Sequence, residues 1–147
     1  MCERVVERAE LACISIRPCW VQELASYERN LGPIVRDPSL AIGTYCSYVD
    51  AYDLSEATVR AVESERTGHD VVYVASPDTI GGHPLRDVVR SVDPSGEIEI
   101  REPLPREDAS AIDSSKAQRL LGWTPTRSWS DYLDEQGRLR DGVVEPW

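Results

Sequence analysis

The stretch SYVDAYDLSEATVRAVES, residues 47–64, decides the reading of this chain. It opens on a short β-type pair, Tyr48-Val49, and passes through Asp50 and Asp53 into a helical pattern. Leu54, Ala57, Val59, Ala61 and Val62 recur near the 3.6-residue period and are expected to form its apolar face. Asp53 stands just before that face. A carboxylate there can accept from the first free backbone N–H groups and suits the positive end of the helix dipole. Glu56, three residues on, completes the spacing of a capping box. On spacing alone this is a well-capped structural helix.

Upstream, CERVVERAEL (residues 2–11) sets Val5, Val6, Ala9 and Leu11 among alternating Glu and Arg, a helical pattern. ACISI (residues 12–16) is an apolar run bounded by Arg17-Pro18 and reads as a buried strand. A helix that feeds an apolar strand is half of a β-α-β unit, and its first strand is missing. The chain is therefore expected to begin mid-domain. Residues 20–39 read as a loop, because Gly32, Pro33 and Pro38 interrupt any period.

Downstream, Thr67-Gly68-His69-Asp70 breaks the chain, and VVYVA (residues 71–75) reads as a buried strand. Pro84 opens a helix over residues 84–90. EIEIR (residues 97–101) alternates strictly and is expected as an edge strand. Pro103 and Pro105 mark a surface loop. Ser114 or Ser115 then caps a short helix whose Ala117, Leu120 and Leu121 face inward; Gly122 ends it and Pro125 stops continuation. Trp123 anchors that helix, Ser128 caps a last one over residues 129–133, and residues 134–147 read as a flexible tail.

Composition narrows the function classes. The 147 residues suffice for one domain with a modest core, and 41% apolar with 29% charged residues excludes wholesale disorder. A net charge of −10 argues against nucleic acid and anionic membrane, which demand a positive face. Lys116 is the one lysine among 16 basic residues, and this acidic, arginine-rich balance fits a salt-adapted (halophilic) protein as well as an ordinary acidic one. The cysteines at 2, 13, 19 and 46 form no Cys-x-x-Cys pair, and His69 and His83 are the only histidines, so metal-site spacing is absent. Free thiols are expected, with Cys13 as a small buried hydrophobe. No apolar run approaches membrane-spanning length, and a cytoplasmic location is expected.

The chemistry-bearing residues are few. No Gly-x-x-Gly-x-x-Gly occurs, and Gly81-Gly82 lacks the strand–turn–helix setting of a dinucleotide fingerprint. No Tyr-x-x-x-Lys occurs either, since Lys116 has no tyrosine four residues before it. Asp50 and Asp53 could pose as a carboxylate pair, but cap and turn roles suit them better. His69 reads as an exposed turn residue and His83 as a helix start. Cys19 sits at a strand end, where α/β sites form, without an identifiable base. No catalytic residue and no metal ligand is assigned.

Four segments together carry a resemblance. YVDAYDLSEA resembles the (F/Y)-(I/V)-(H/D)-V-x-D-(L/V)-A-x-A segment of the extended short-chain dehydrogenase/reductases, the NAD-dependent epimerase/dehydratase family. DSSKAQRLLGWTP resembles that family's D-x-S-K-A-x-x-x-L-G-W-x-P, the most specific of the matches. CERVVERAELACISIRPCWV is similar to the helix and strand that follow the family's catalytic Tyr-x-x-x-Lys, and VVYVASPDT to its (Y/F)-N-(V/I)-x-x-x-x-(T/V).

The resemblance, over residues 2–133, implies an α/β fold: a partial Rossmann-like, doubly wound sheet remnant with a small mixed α/β substrate-binding lobe. It implies the C-terminal, substrate-side portion of such an enzyme, with NAD as cofactor of the full-length family and none held tightly by this chain. Pro18 and Cys19 are implied to approach the cofactor, and Trp20 and Gln22 the substrate. The pattern departs in two places. Trp20 replaces an Asn and the following Gly-Pro is lost, and Cys46-Ser47 replaces the Arg-Asp pair that grips a sugar-nucleotide diphosphate. Expected partners are a small, sugar-type molecule and either a separate Rossmann half or a second copy, the uncovered apolar edge of ACISI inviting pairing. A non-catalytic binding or interaction module is the alternative.

Overall fold

A computed structural model describes residues 12–144 of the chain. The helix expected over residues 2–11 lies outside that range. Among the described residues four strands are present: β1 Cys13–Pro18, β2 Val21–Gln22, β3 Val49–Asp50 and β4 His69–Val74. Six α-helices accompany them: α1 Leu24–Asn30, α2 Gly32–Arg36, α3 Ala51–Glu63, α4 Leu85–Val92, α5 Ser115–Leu121 and α6 Trp129–Tyr132.

The strands form two small parallel sheets. β1 pairs with β4, Ile14 opposite Asp70 and Ile16 opposite Val72, and β2 pairs with β3, Val21 opposite Val49. Parallel pairing needs a crossover; the segment with α1 and α2 supplies it between β2 and β3, and the longer stretch that ends in α3 supplies it between β1 and β4. The fold is α/β of partial Rossmann-like type.

One core lies between the first sheet and helices α3 and α5. Val49, Ala57, Val72, Val74, Ala117, Leu121 and Trp123 are buried there, with Ile14, Ile16, Leu54 and Ala61 packed against them. The opposite face of β1 and β4 is polar, where Ser15 Oγ lies 2.9 Å from His69 Nε2 and Arg17 donates to Tyr73 Oη at 3.1 Å. The strand expected to present an apolar edge thus turns its isoleucines to the core. His69, expected in a turn, is the first residue of β4.

The second core gathers Tyr27, Leu31, Ile34, Val35, Cys46, Tyr48, Ile80, Val88, Tyr132 and Leu133 beneath α1, α2, α4 and α6. Its existence corrects the loop expected over residues 20–39. Pro33 occupies the first turn of α2, where its missing N–H costs nothing, so it starts a helix instead of breaking one. Gly32 is needed because a Cβ there would lie 2.3 Å from the carbonyl oxygen of Gly137. That contact brings in the stretch expected as a flexible tail. Its described part makes a hydrogen-bonded turn, with an antiparallel bridge between Leu133 and Leu139.

Other local expectations shift for physical reasons. α3 begins at Ala51, capped by Asp50, whose carboxylate accepts from Tyr52 N at 2.8 Å. Asp53 therefore lies inside the first turn, and Glu56 pairs with Arg60 instead of closing a capping box. Val59 and Val62 are 54% and 81% exposed, because they fall on the side of α3 away from the Leu54, Ala57, Ala61 stripe. His83 starts no helix; its Nε2 lies 3.1 Å from the carbonyl oxygens of Ile34 and Val35, and facing two acceptors it must donate. Residues 97–101 join no ladder among the described residues. Gly122 does end α5, in the left-handed conformation at φ 61°, and Ser128 caps α6 in a capping box with Asp131. Ser114 does not cap α5, since its hydroxyl accepts from Ala75 N at 3.0 Å; Asp113 accepts from Ser115 N at 2.8 Å instead.

Candidate functional site

All four strands run in one sense within their pairs, so the carboxyl ends of β1 and β4 and the start of β2 meet where the chain passes from one sheet to the other. α/β proteins form their ligand crevices at such a point. The linking residues are Cys19 and Trp20. Cys19 N donates to Val74 O at 3.0 Å, Val49 N donates to Trp20 O at 3.1 Å, and Ser76 N donates to Tyr48 O at 2.8 Å. The first continues the β1–β4 pair and the second the β2–β3 pair, and the third ties the end of β4 to the start of β3.

The residues singled out from the sequence differ in access. Pro18 is exposed, Cys19 and Trp20 are half-buried, and Gln22 is fully buried. Burial pushes the Cys19 thiol pKa up, against a smaller opposing effect of the Trp20 backbone N–H. A thiol so placed stays protonated near neutral pH and is a poor nucleophile. Trp20 packs part of its indole on the second core and leaves the rest at the surface. The Gln22 amide oxygen accepts from Ser26 Oγ and from Asn30 Nδ2, both at 3.1 Å, which ties β2 to α1. Its Nε2 has no partner among the described residues. Ser76, at the mouth of β4 and 1% exposed, likewise has a hydroxyl with no such partner.

Three buried carboxylates surround this point, and each is occupied. Asp50 accepts from Tyr27 Oη at 2.9 Å and faces Arg127 at 3.9 Å. The Arg127 guanidinium also lies over the Tyr52 ring, 4.4 Å from its centre. Asp53 accepts from Thr126 N at 3.1 Å, Thr126 Oγ1 at 2.9 Å and Arg127 N at 3.0 Å. Its backbone oxygen accepts from Trp123 Nε1 at 2.9 Å. Asp78 accepts from Tyr48 Oη at 2.9 Å and Ser128 Oγ at 2.6 Å, and burial raises its pKa. The Tyr48 hydroxyl in turn accepts from Trp129 N at 2.6 Å; burial and the Asp78 charge raise its pKa. Tyr27 is raised in the same way by burial and by Asp50.

These groups clamp residues 123–129 onto β3 and α3. Each of these three carboxylates thus accepts hydrogen bonds from groups of its own chain. Ser76, Asp78, Thr126 and Arg127 were not distinguishable from sequence, because none lies in a spacing that marks chemistry. Among the described residues no group of three His, Cys, Asp or Glu could hold a metal ion, and no helix is long and apolar enough to cross a membrane.

No protein-family profile and no curated protein matches this sequence. Solved structures do match its fold. The chain is similar to a UDP-glucuronic acid 4-epimerase from Bacillus cereus in complex with NAD, at TM-score 0.51 and 15% identity over 93% of this chain and 46% of that one. It is also similar to RMD from Pseudomonas aeruginosa complexed with NADPH, at TM-score 0.50 and 12% identity over 88% of this chain and 48% of that one. The chain thus spans about half the length of these proteins. At such identities the likeness establishes the fold they share.

Proposed function

We propose that this chain is the substrate-side portion of an NAD-dependent epimerase/dehydratase-type protein acting on a sugar-type small molecule, and that it has no turnover alone. One observation carries the reading. The two segments most like that family, around Asp53 and around Trp123, lie 70 residues apart, yet they are bonded together at 2.9 Å inside a fold that matches such enzymes. In this reading Pro18 and Cys19 face the nicotinamide end of a cofactor, Trp20 walls the substrate, and Gln22 holds the loop with one amide donor in reserve. NAD, when bound, supplies a hydride acceptor. The residues present fit only that end of the dinucleotide, since the sequence has no glycine-rich turn to cradle a diphosphate. The salt-adapted surface and a cytoplasmic location belong to the same proposal; Cys19 and Cys46 stand in no disulfide.

The test is a tryptophan-fluorescence titration with NAD, with UDP-glucuronic acid and with glucuronic acid. Expected are no saturable response to NAD up to about 1 mM and a weak response to one of the sugar probes that Trp20→Phe removes. Micromolar NAD affinity, or silence toward both sugars, overturns the reading. The alternative is a non-catalytic binding module, favoured by the polar pairs Ser15–His69 and Arg17–Tyr73, which finish the outer sheet face for water. Silence toward all three probes would select it.

A further inference from the structure

The arginines described around the sheet junction are taken up by the chain's own carboxylates. The Arg127 guanidinium stands 3.5 Å from Asp53 and 3.9 Å from Asp50 and covers the Tyr52 ring. Arg106 holds Asp108 through two parallel bonds, Nη2 donating to Oδ2 at 2.7 Å and Nε to Oδ1. Arg106 also lies within electrostatic range of Asp78 and Tyr48. Asp50, Asp53, Asp78 and Asp108 thus set four carboxyl groups against two guanidinium groups. Burial favours the neutral form of Asp78, and the other three still outnumber the arginines.

Backbone donors here are spent as well. Cys19 N, Val49 N and Ser76 N bond within and between the strand ends. Ile80 N donates to Cys46 O and Thr79 N to Asp108 O, both at 2.8 Å, and Ala111 N donates to Ser47 Oγ at 3.1 Å. Cys46 and Ser47 are wholly buried, and Cys46 belongs to the second core. The polar atoms left without a partner among the described residues, Gln22 Nε2 and Ser76 Oγ, carry no charge.

We propose that the junction takes a neutral, phosphate-free sugar-type molecule and rejects nucleoside diphosphate sugars. This inference rests on the function proposed above and narrows its substrate class. A diphosphate is held by cationic groups or clustered N–H donors that have no other acceptor. The arginines and backbone N–H groups named here each have one already. Added phosphate charge instead meets a local excess of carboxylate in a chain of net charge −10, and like charges brought together cost affinity. A neutral sugar avoids that repulsion. Its hydroxyls suit uncharged partners, and its C–H face suits the half-buried Trp20 indole.

Two-dimensional 1H–15N NMR of the 147-residue chain, followed at the Trp20 indole, tests the assignment. The probes are glucose, glucuronic acid, UDP-glucuronic acid and UDP, each up to about 10 mM, and Trp20→Phe identifies the resonance. Expected are saturable shifts with glucose that are the same at low and high salt, a response to glucuronic acid about threefold weaker or more, and none to UDP or UDP-glucuronic acid. Asp108→Asn releases Arg106 and is expected to bring UDP-glucuronic acid into the millimolar range, with the glucose shifts as the check on its fold. UDP-glucuronic acid that binds tighter than glucose, or an Asp108→Asn variant still blind to it, overturns this inference and leaves the preceding reading standing. Silence toward every sugar overturns both.

Discussion

Replacing Asp53 by asparagine tests the clamp that organises this fold. The carboxylate is wholly buried and accepts from Thr126 N, Thr126 Oγ1 and Arg127 N at 2.9–3.1 Å, with Arg127 Nη1 at 3.5 Å. Two of those donors are backbone N–H groups, which cannot turn around. An amide keeps one acceptor oxygen and points its own N–H₂ at a donor. Each buried donor left without an acceptor costs about 1–3 kcal/mol, and loss of the negative charge leaves Arg127 with one buried carboxylate fewer. The expected loss is about 3–4 kcal/mol, a large part of the roughly 5–15 kcal/mol that stabilises a typical domain.

Urea denaturation with an unchanged m-value measures it, and the melting temperature falls by about 10 °C. Asp78→Asn is the internal comparison. Asp78 is held by two hydroxyls, Tyr48 Oη and Ser128 Oγ, and burial already favours its neutral form. The Ser128 hydroxyl can rotate to accept from the new amide, so the cost is about 1 kcal/mol. A loss below about 1 kcal/mol for Asp53→Asn, or equal losses at both positions, would refute the reasoning.

Further outcomes follow from the same geometry. Gly32→Ala sets a Cβ 2.3 Å from the Gly137 carbonyl oxygen and is expected to cost about 2–3 kcal/mol by chemical denaturation, whereas Gly142→Ala, with open space at φ 79°, costs about 1–2 kcal/mol from backbone strain alone. Burial raises the Cys46 pKa from 9.0 to about 12, so its thiol resists aromatic disulfide reagents at pH 8 in the native state and reacts once urea unfolds the chain. The raised value also sets a sign. Its contribution to stability is fully present below pH 9.0 and is lost as pH rises toward about 12, because the unfolded thiol ionises first; Cys46→Ala should flatten that part of a stability–pH curve.

Much of the secondary structure was legible because it rests on local rules. β1 and β4 overlap the apolar runs ACISI and VVYVA, β1 starting one residue later and ending two later, β4 starting two residues earlier and ending one earlier. The end of α5 at Gly122 and the Ser128 cap of α6 needed only residues a few positions away. Where local rules misled, a distant group had intervened. Residues 20–39 form two helices because Tyr27, Leu31, Ile34 and Val35 find a common core with Tyr48 and Leu133, which no local period reports. EIEIR has the strand pattern but meets no ladder, since a strand is a property of two segments.

The same division holds for the candidate site. Residues 18–22 were marked by their place after an apolar strand, and the fold sets them where its two sheets meet. Sequence could not separate exposed Pro18 from buried Gln22, or show that Gln22 spends its amide oxygen on Ser26 and Asn30. The sequence by itself determined the strand–helix–strand order, the stops at Gly122 and Pro125 and the net charge of −10, all set by neighbours within a turn or by composition. The tertiary structure alone decided that Asp53 holds Thr126 and Arg127 and that Asp78 holds Tyr48 and Ser128. A buried carboxylate takes whatever donors the folded chain brings to it, and those donors lie 30 to 74 residues away.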